Sequence, residues 1–493
     1  MSIATPANPA EPTADAARPV PMTKFEHRFG HPPGLAFLFG TEMWERFSYY
    51  GMRGLLVLYM VEYLFKGHSG NVIGYAAIKG GLEWVFGPLA IQPLSSQIYG
   101  LYTAFVYLTP FFGGLLADRV LGQRKTVVIG GVLMAIGHFL MAFENLFFIA
   151  LLFLIIGNGA FKPNVSTQVG GLYPVGDHRR DRAFSIFYVG INLGAFLANL
   201  IAGTLGQKVG WHFGFGAAGV GMCIGLVTYL LGQRYLAPDS VMRKAALDAV
   251  QHGDVDDGDL GILTAAAGAR ASKEKKPFTR TEWMAVLGLV VLCALNILFW
   301  AVYEQQGNTM QLWAEQQTIW PTIFGWTPPS SWFQSFNPLM IFLFTPIITW
   351  HWKQQQAKGT EPSSVAKMAI GCIILGLSFI VMVVGANVVG SGKGSILWPF
   401  ACTAMLTVGE LYLSPVGLSL VTKVAPARIV SMMMGMWFLS SFFGNYLSGY
   451  IGSFYSRMPK SNFFLLLTAL GVGAGLAIWA LNKPLKKAIG GNV

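Results

Sequence analysis

Twelve apolar stretches separated by short polar ones set the pattern of this chain. Their approximate limits are 35–65, 93–117, 126–143, 146–172, 183–206, 212–234, 282–313, 335–352, 368–388, 395–421, 430–454 and 461–482. About 20 apolar residues suffice to cross a bilayer as a helix, so each stretch predicts one transmembrane helix and the whole predicts an all-α membrane protein. Several exceed that minimum, which predicts tilt or extension past the hydrocarbon. Gly and Pro recur inside them, as membrane helices tolerate.

Polar blocks interrupt this pattern. Residues 1–31 form a tail without a cleavage signature, expected to be flexible and cytoplasmic. Residues 235–281 hold GDVDDGD at 253–259 and KEKK at 273–276, which cannot enter a membrane. They predict a cytoplasmic linker, with an amphipathic surface helix near 240–251, between six-helix halves at 32–234 and 282–484. Residues 67–92 carry Gly and Trp and are expected at the membrane interface. Residues 485–493 form a short cytoplasmic tail.

Composition sharpens the picture. Of the 493 residues, 53% are hydrophobic and 12% charged, about half the charge of a soluble domain. One polytopic body accounts for this better than several soluble domains. The net charge of +11 would suit nucleic acid, but the basic residues sit in short clusters between apolar spans, which excludes a nucleic-acid surface. Of the 34 Lys and Arg, 25 fall in the tails and the loops on one side, six on the other side and three inside spans. Basic residues accumulate in cytoplasmic loops, so both termini are expected inside. Cys223, Cys293, Cys372 and Cys402 lie in apolar spans at no metal-like spacing and predict packing rather than disulfides.

The first span contradicts its own hydropathy. Glu42, Glu45, Arg46 and Arg53 share one helical face, with Tyr49 and Tyr50 between them. A lone charge at the bilayer centre costs roughly 2.5–3.5 kcal/mol on insertion scales. A helix carrying four must turn them toward a protein-lined interior, which points to transport or proton movement. Further polar groups lie within later spans: Lys162, Glu304, Asn337 and Glu410. Paired carboxylates beside Arg46 suit proton loading and release, because burial disfavours their charge while the guanidinium favours it. No HExxH, GxSxG or P-loop occurs, which argues against a membrane peptidase and against ATP as energy source.

Six helices, a linker and six more resemble the major facilitator superfamily, as does DRVLGQRKT at 118–126. The resemblance implies two bundles related by an axis along the membrane normal, with a site at mid-depth. Under that symmetry, helices one and seven are counterparts, as are four and ten. The first pair offers Arg53 against Glu304 and the second Lys162 against Glu410, which predicts two gating salt bridges, one toward each end of the pore.

Seven motifs in order carry a narrower resemblance: TEMWERFSYYGMRG (41–54), GNGAFKPNVS (157–166), FYVGINLGAF (187–196), FWAVYEQQG (299–307), FNP (336–338), GELYLSPVGLS (409–419) and MGMWFLSSFFGNYLSG (434–449). Together they resemble the proton-coupled oligopeptide transporter family, with a bacterial member as the nearest match. The resemblance implies a symporter of di- and tripeptides in a bacterial inner membrane, driven by protons with no cofactor and expected to act as a monomer. It implies proton coupling by Glu42, Glu45, Arg46 and Glu304. It implies peptide binding by Tyr49, Tyr50, Arg53, Tyr107, Lys162, Asn192, Trp300, Asn337, Glu410, Ser414 and Trp437. Arg53 and Lys162 would meet the peptide carboxylate, and Glu410 its amine. Two departures matter. Animal members carry His after the Tyr of the second helix, where this chain has Gly100 after Tyr99, so no His switch is expected there. Many bacterial members insert two helices between the halves, and 235–281 has no room for them.

Overall fold

The structure, a computed structural model, describes residues 24–174, 177–239, 241–242, 278–426 and 429–483. The expected amphipathic segment near 240–251, most of the 235–281 linker, and the tails at 1–23 and 484–493 lie outside them.

Twelve long helices form among the described residues. They are α1 Pro33–Leu58, α2 Ile91–Leu116, α3 Gln123–Leu140, α4 Phe147–Gly171, α5 Arg179–Thr204, α6 Trp211–Gly232, α7 Arg280–Tyr303, α8 Phe336–Ala357, α9 Ser364–Val389, α10 Leu397–Val424, α11 Val430–Gly452 and α12 Lys460–Ala480. Each falls on one apolar stretch. Eight of the helical segments, those holding α2, α4 to α7, α9, α10 and α12, are long and apolar enough to cross a membrane. The remaining four carry more polar side chains, and α1 holds the four charges on its inner face.

Local rules set several boundaries. Thr279 and Glu282 form a reciprocal capping box at the start of α7. Ser363 caps α9. Gly122, at φ 77°, makes the corner into α3 that a residue with a Cβ would adopt only with strain. At that corner Arg124 donates to the carbonyl of Leu236 at 2.5 Å, and its backbone N–H donates to Asp239. The DRVLGQRKT loop thereby clasps the start of the linker. At the α4–α5 turn, hydrogen bonds from Arg179 hold the Asp177 carboxyl below the usual carboxylate range.

Packing divides the twelve into two groups. In the first, α1 lies on α5 and α6, α3 on α4 and α6, and α2 on α4. In the second, α9 lies on α10 and α12, α7 on α11 and α12, and α8 on α10. The groups meet mainly through α2 against α11 and α5 against α8. At the first seam Gly100 and Gly449 face each other, and a Cβ on Gly100 would stand 2.5 Å from the Gly449 Cα.

The seam is closed at one end. There, the α1–α2, α5–α6, α7–α8 and α11–α12 connections interlock. Ser96 donates to Asn308 at 2.8 Å, Gln92 to the Gly452 carbonyl at 3.0 Å, Gln207 to Glu315 at 2.9 Å, and the Trp332 indole to Thr204 at 2.8 Å. Ser335 donates to the Phe196 carbonyl at 2.8 Å. Between α7 and α8, Thr318–Ile319 pairs in parallel with Gly394–Ser395. These cross-group hydrogen bonds gather at this end, with the cavity just beneath them.

Candidate functional site

A cavity of about 290 Å³ lies between the groups. One wall comes from α1, α2, α4 and α5 through Tyr50, Arg53, Tyr107, Lys162, Tyr188 and Asn192. The other comes from α7, α8, α10 and α11 through Trp300, Tyr303, Glu304, Asn337, Glu410, Ser414 and Trp437. Its volume is at the small end of the roughly 300–1,000 Å³ found for ligand pockets.

The roof is a charge pair across the seam. α7 ends at Tyr303, and the tight turn Glu304–Gly307 re-aims the chain. Gln305 ties that turn to α11 by donating to the Ser448 carbonyl at 2.9 Å. Glu304 thereby faces Arg53, which forms an ion pair with it and donates from Nε to the Tyr99 hydroxyl at 2.8 Å. Arg53 also lies 6.0 Å from the Tyr50 ring.

Behind the cavity wall, α1 carries the second cluster. Arg46 grips Glu45 with two bonds, at 2.5 and 2.6 Å, and approaches Glu42 at 3.3 Å. Asn158 of α4 donates to Glu45 at 3.4 Å. The second oxygen of Glu42 is buried without a hydrogen-bond partner. All three side chains are almost fully enclosed and none lines the cavity. Lys162 lies within electrostatic reach of this cluster while its ammonium faces the Tyr107 ring at 5.1 Å. Pro163 follows Lys162 inside α4, and Pro415 follows Ser414 inside α10. A proline inside a helix leaves the carbonyl four residues earlier without its usual donor.

On the opposite wall, Asn337 donates to Glu410 at 2.9 Å and to Thr407 at 3.0 Å. The Tyr303 hydroxyl meets Asn337 at 3.5 Å. The Trp300 indole N–H is buried without a partner. A second cavity, about 500 Å³ between α5 and α8, shares Tyr188, Asn192 and Ile341 with the first.

The chain's candidate residues therefore sort by place. Tyr50, Arg53, Tyr107, Lys162, Asn192, Trp300, Asn337, Glu410, Ser414 and Trp437 face one cavity, with Glu304 in its roof. One expectation needs correction. Tyr49 does not reach the cavity: it is 4% exposed, edge-on to Tyr50 and beneath the Arg46 guanidinium at 5.0 Å, because it follows Glu45 by one helical turn. Lys162 and Glu410 form no ion pair in this state, which is open at their end, and Glu410 takes Asn337 instead. Sequence reasoning passed over Tyr99, Tyr303, Gln306 and Gln334. Tyr99 and Tyr303 sit beside residues already singled out, but nothing in their spacing marks them. Asn308, without an evident role in the sequence, accepts from Ser96 across the seam.

Two six-helix groups around a shared, charged cavity define a membrane transporter of the secondary type rather than an enzyme. Residues 124–252 and 240–466 match the POT family. The chain is 33% identical to a di-/tripeptide transporter of Lactococcus lactis subsp. cremoris, over 94% of this chain and 97% of that one. It is 34% identical to the peptide transporter YePEPT of Yersinia enterocolitica, over 86% and 88%. A crystal structure of a peptide transporter POT variant in complex with alafosfalin superposes with a TM-score of 0.76 at 34% identity, covering 94% of this chain and 96% of that one. This chain belongs to the POT family.

Proposed function

We propose that this protein imports di- and tripeptides with protons across a bacterial inner membrane, acting as a monomer by alternating access without a cofactor. The observation that carries the reading is the placement of opposite charges on opposite walls of one cavity. Arg53 and Lys162 stand on the first group and Glu410 on the second. A dipeptide zwitterion holds its two charges about 5–7 Å apart by backbone dimensions, and such a cavity complements it. Trp300 lines the cavity, and its buried N–H has no hydrogen-bond partner within the protein. The apolar space between α5 and α8 offers room for variable side chains.

The buried ionic groups support proton coupling. Arg46, Arg53 and Lys162 face four carboxylates, Glu42, Glu45, Glu304 and Glu410, which leaves one excess negative charge in a low-dielectric interior. An uncompensated buried charge is costly, and a proton neutralises it. A peptide carboxylate drawn to Lys162 or Arg53 changes that balance, so peptide and proton affect each other's binding. With the Lys and Arg asymmetry setting the termini inside, the closed end is extracellular and the state described opens to the cytoplasm. Outward opening requires the Arg53–Glu304 pair to part and the α4 and α10 ends to close, bringing Lys162 toward Glu410.

The test is uptake into proteoliposomes with and without an inward proton gradient. Labelled dipeptide should accumulate only with the gradient, and di- and tripeptides should compete while nitrate does not. Gradient-independent accumulation, or competition by nitrate instead of peptides, would overturn the reading.

A further inference from the structure

Helix Tyr75–Phe86, in the connection from α1 to α2, wears its amphipathy inside out. Its exposed positions are Ala76, Ala77, Gly80, Gly81, Trp84 and Val85. That spacing of three and four residues is one continuous helical face, and no member is polar. Trp84 is 88% exposed and Val85 59%. The helix's two charges lie on the half-buried face, where Lys79 and Glu83 pair at 3.6 Å. Glu83 also accepts from the Leu89 N–H at 2.9 Å. A surface helix bathed in water shows the reverse, with charges outward.

The covered face fixes the helix on the protein. Tyr75 packs on Phe65 at 5.1 Å between ring centroids, and Phe86 meets Tyr450 of α11 at 5.5 Å. With 12 residues at about 1.5 Å each, the helix is some 18 Å long, too short to cross the roughly 30 Å hydrocarbon core. A four-residue link, 87–90, joins its C-terminal end to the start of α2, and residues 68–74 separate its other end from the helical extension of α1. Trp at its end matches the preference of indoles for the interface.

We infer that Tyr75–Phe86 lies in the lipid leaflet at the closed end, with the Ala–Gly–Trp face against acyl chains and the bilayer as its partner. Its end touches the second group through Phe86 on Tyr450, and in the link just beyond it the Pro88 carbonyl accepts from Arg457 at 3.0 Å. Lipid at this face therefore bears on a helix that belongs to the closed gate.

The experiment places single nitroxides by Trp84→Cys and Gly80→Cys on a background lacking the native cysteines, in nanodiscs of defined lipid. A Cβ at Gly80 meets nothing within 4 Å, so the label fits without disturbing the fold. Lys393→Cys, on an exposed loop at the same end, serves as the water-facing reference, and Phe111→Cys on α2, 63% exposed, as the lipid-facing one. Collision with oxygen relative to a water-soluble nickel chelate should be several-fold higher at 84 and 80 than at 393, and close to that at 111. Ratios equal to that at 393 would overturn the inference. So would protection from both reagents or spin–spin broadening between copies, since either means that protein covers the face.

Discussion

Glu42 and Glu45 are three residues apart on one helix, yet their surroundings differ. Glu45 has both oxygens bound by Arg46, whereas Glu42 keeps one oxygen unpartnered. Two carboxylates share one guanidinium. Glu45→Gln removes the negative member that fixes Arg46 and should abolish gradient-driven uptake while leaving peptide exchange, which moves no net protons. Uptake by the variant that still responds to a pH gradient would end that assignment. Lys162 tests the ligand side. Its ammonium faces Tyr107 rather than a carboxylate, so it is available to a bound anion. Lys162→Ala should weaken competition by free-acid dipeptides at least tenfold, the scale of about 1.4 kcal/mol, and affect dipeptide amides much less. Equal losses for both would assign Lys162 to gating alone.

Among the elements, α2 and α11 form the tightest seam, and glycine is the reason. Gly100 and Gly449 let the backbones touch, as small residues do between membrane helices. A Cβ at Gly100 would stand 2.5 Å from the Gly449 Cα and 2.7 Å from its nitrogen. The same contact explains why no larger side chain follows Tyr99 in this closed seam: an imidazole there would force the helices apart. Gly100→Ala should destabilise the closed end by about 1–3 kcal/mol, the usual cost of overpacking. Double electron–electron resonance between labels at Asn71 and Lys393, both exposed at that end, should reveal a longer-distance population. An unchanged distance distribution would mean that the seam absorbs the methyl.

At the scale of the molecule, the closed end is held by a distributed network with one buried ion pair at its base. Arg53 and Glu304 are both largely enclosed. Removing one partner of such a pair leaves the other uncompensated and typically costs about 3–5 kcal/mol. Glu304→Gln should therefore lower the thermal midpoint in detergent and shift the same labelled pair toward the open-ended distance, more strongly than Gly100→Ala does. A midpoint unchanged from wild type would show that Arg53 finds another partner. The surrounding bonds from Ser96, Gln92, Gln207 and Trp332 restrain the end collectively, so partial rather than complete opening is expected.

Much of this was written in local sequence. Hydrophobic length set twelve helices because each backbone polar group in lipid must be satisfied within its own segment. Charges inside greasy spans marked Glu42, Glu45, Arg46, Arg53, Lys162, Glu304 and Glu410 because such charges are too costly to face lipid. The basic asymmetry suggested which side faces the cytoplasm. Other properties depended on helices far apart in the chain. Only the packing decided that Tyr49 backs the cavity wall, that Tyr99 and Tyr303 support its charges, that Lys162 and Glu410 are apart while Arg53 and Glu304 are joined, and that the bare face of Tyr75–Phe86 looks outward. A linear chain records what each residue costs in lipid, but which residues meet depends on how two bundles lean against each other, and that tilt is a property of the assembled whole.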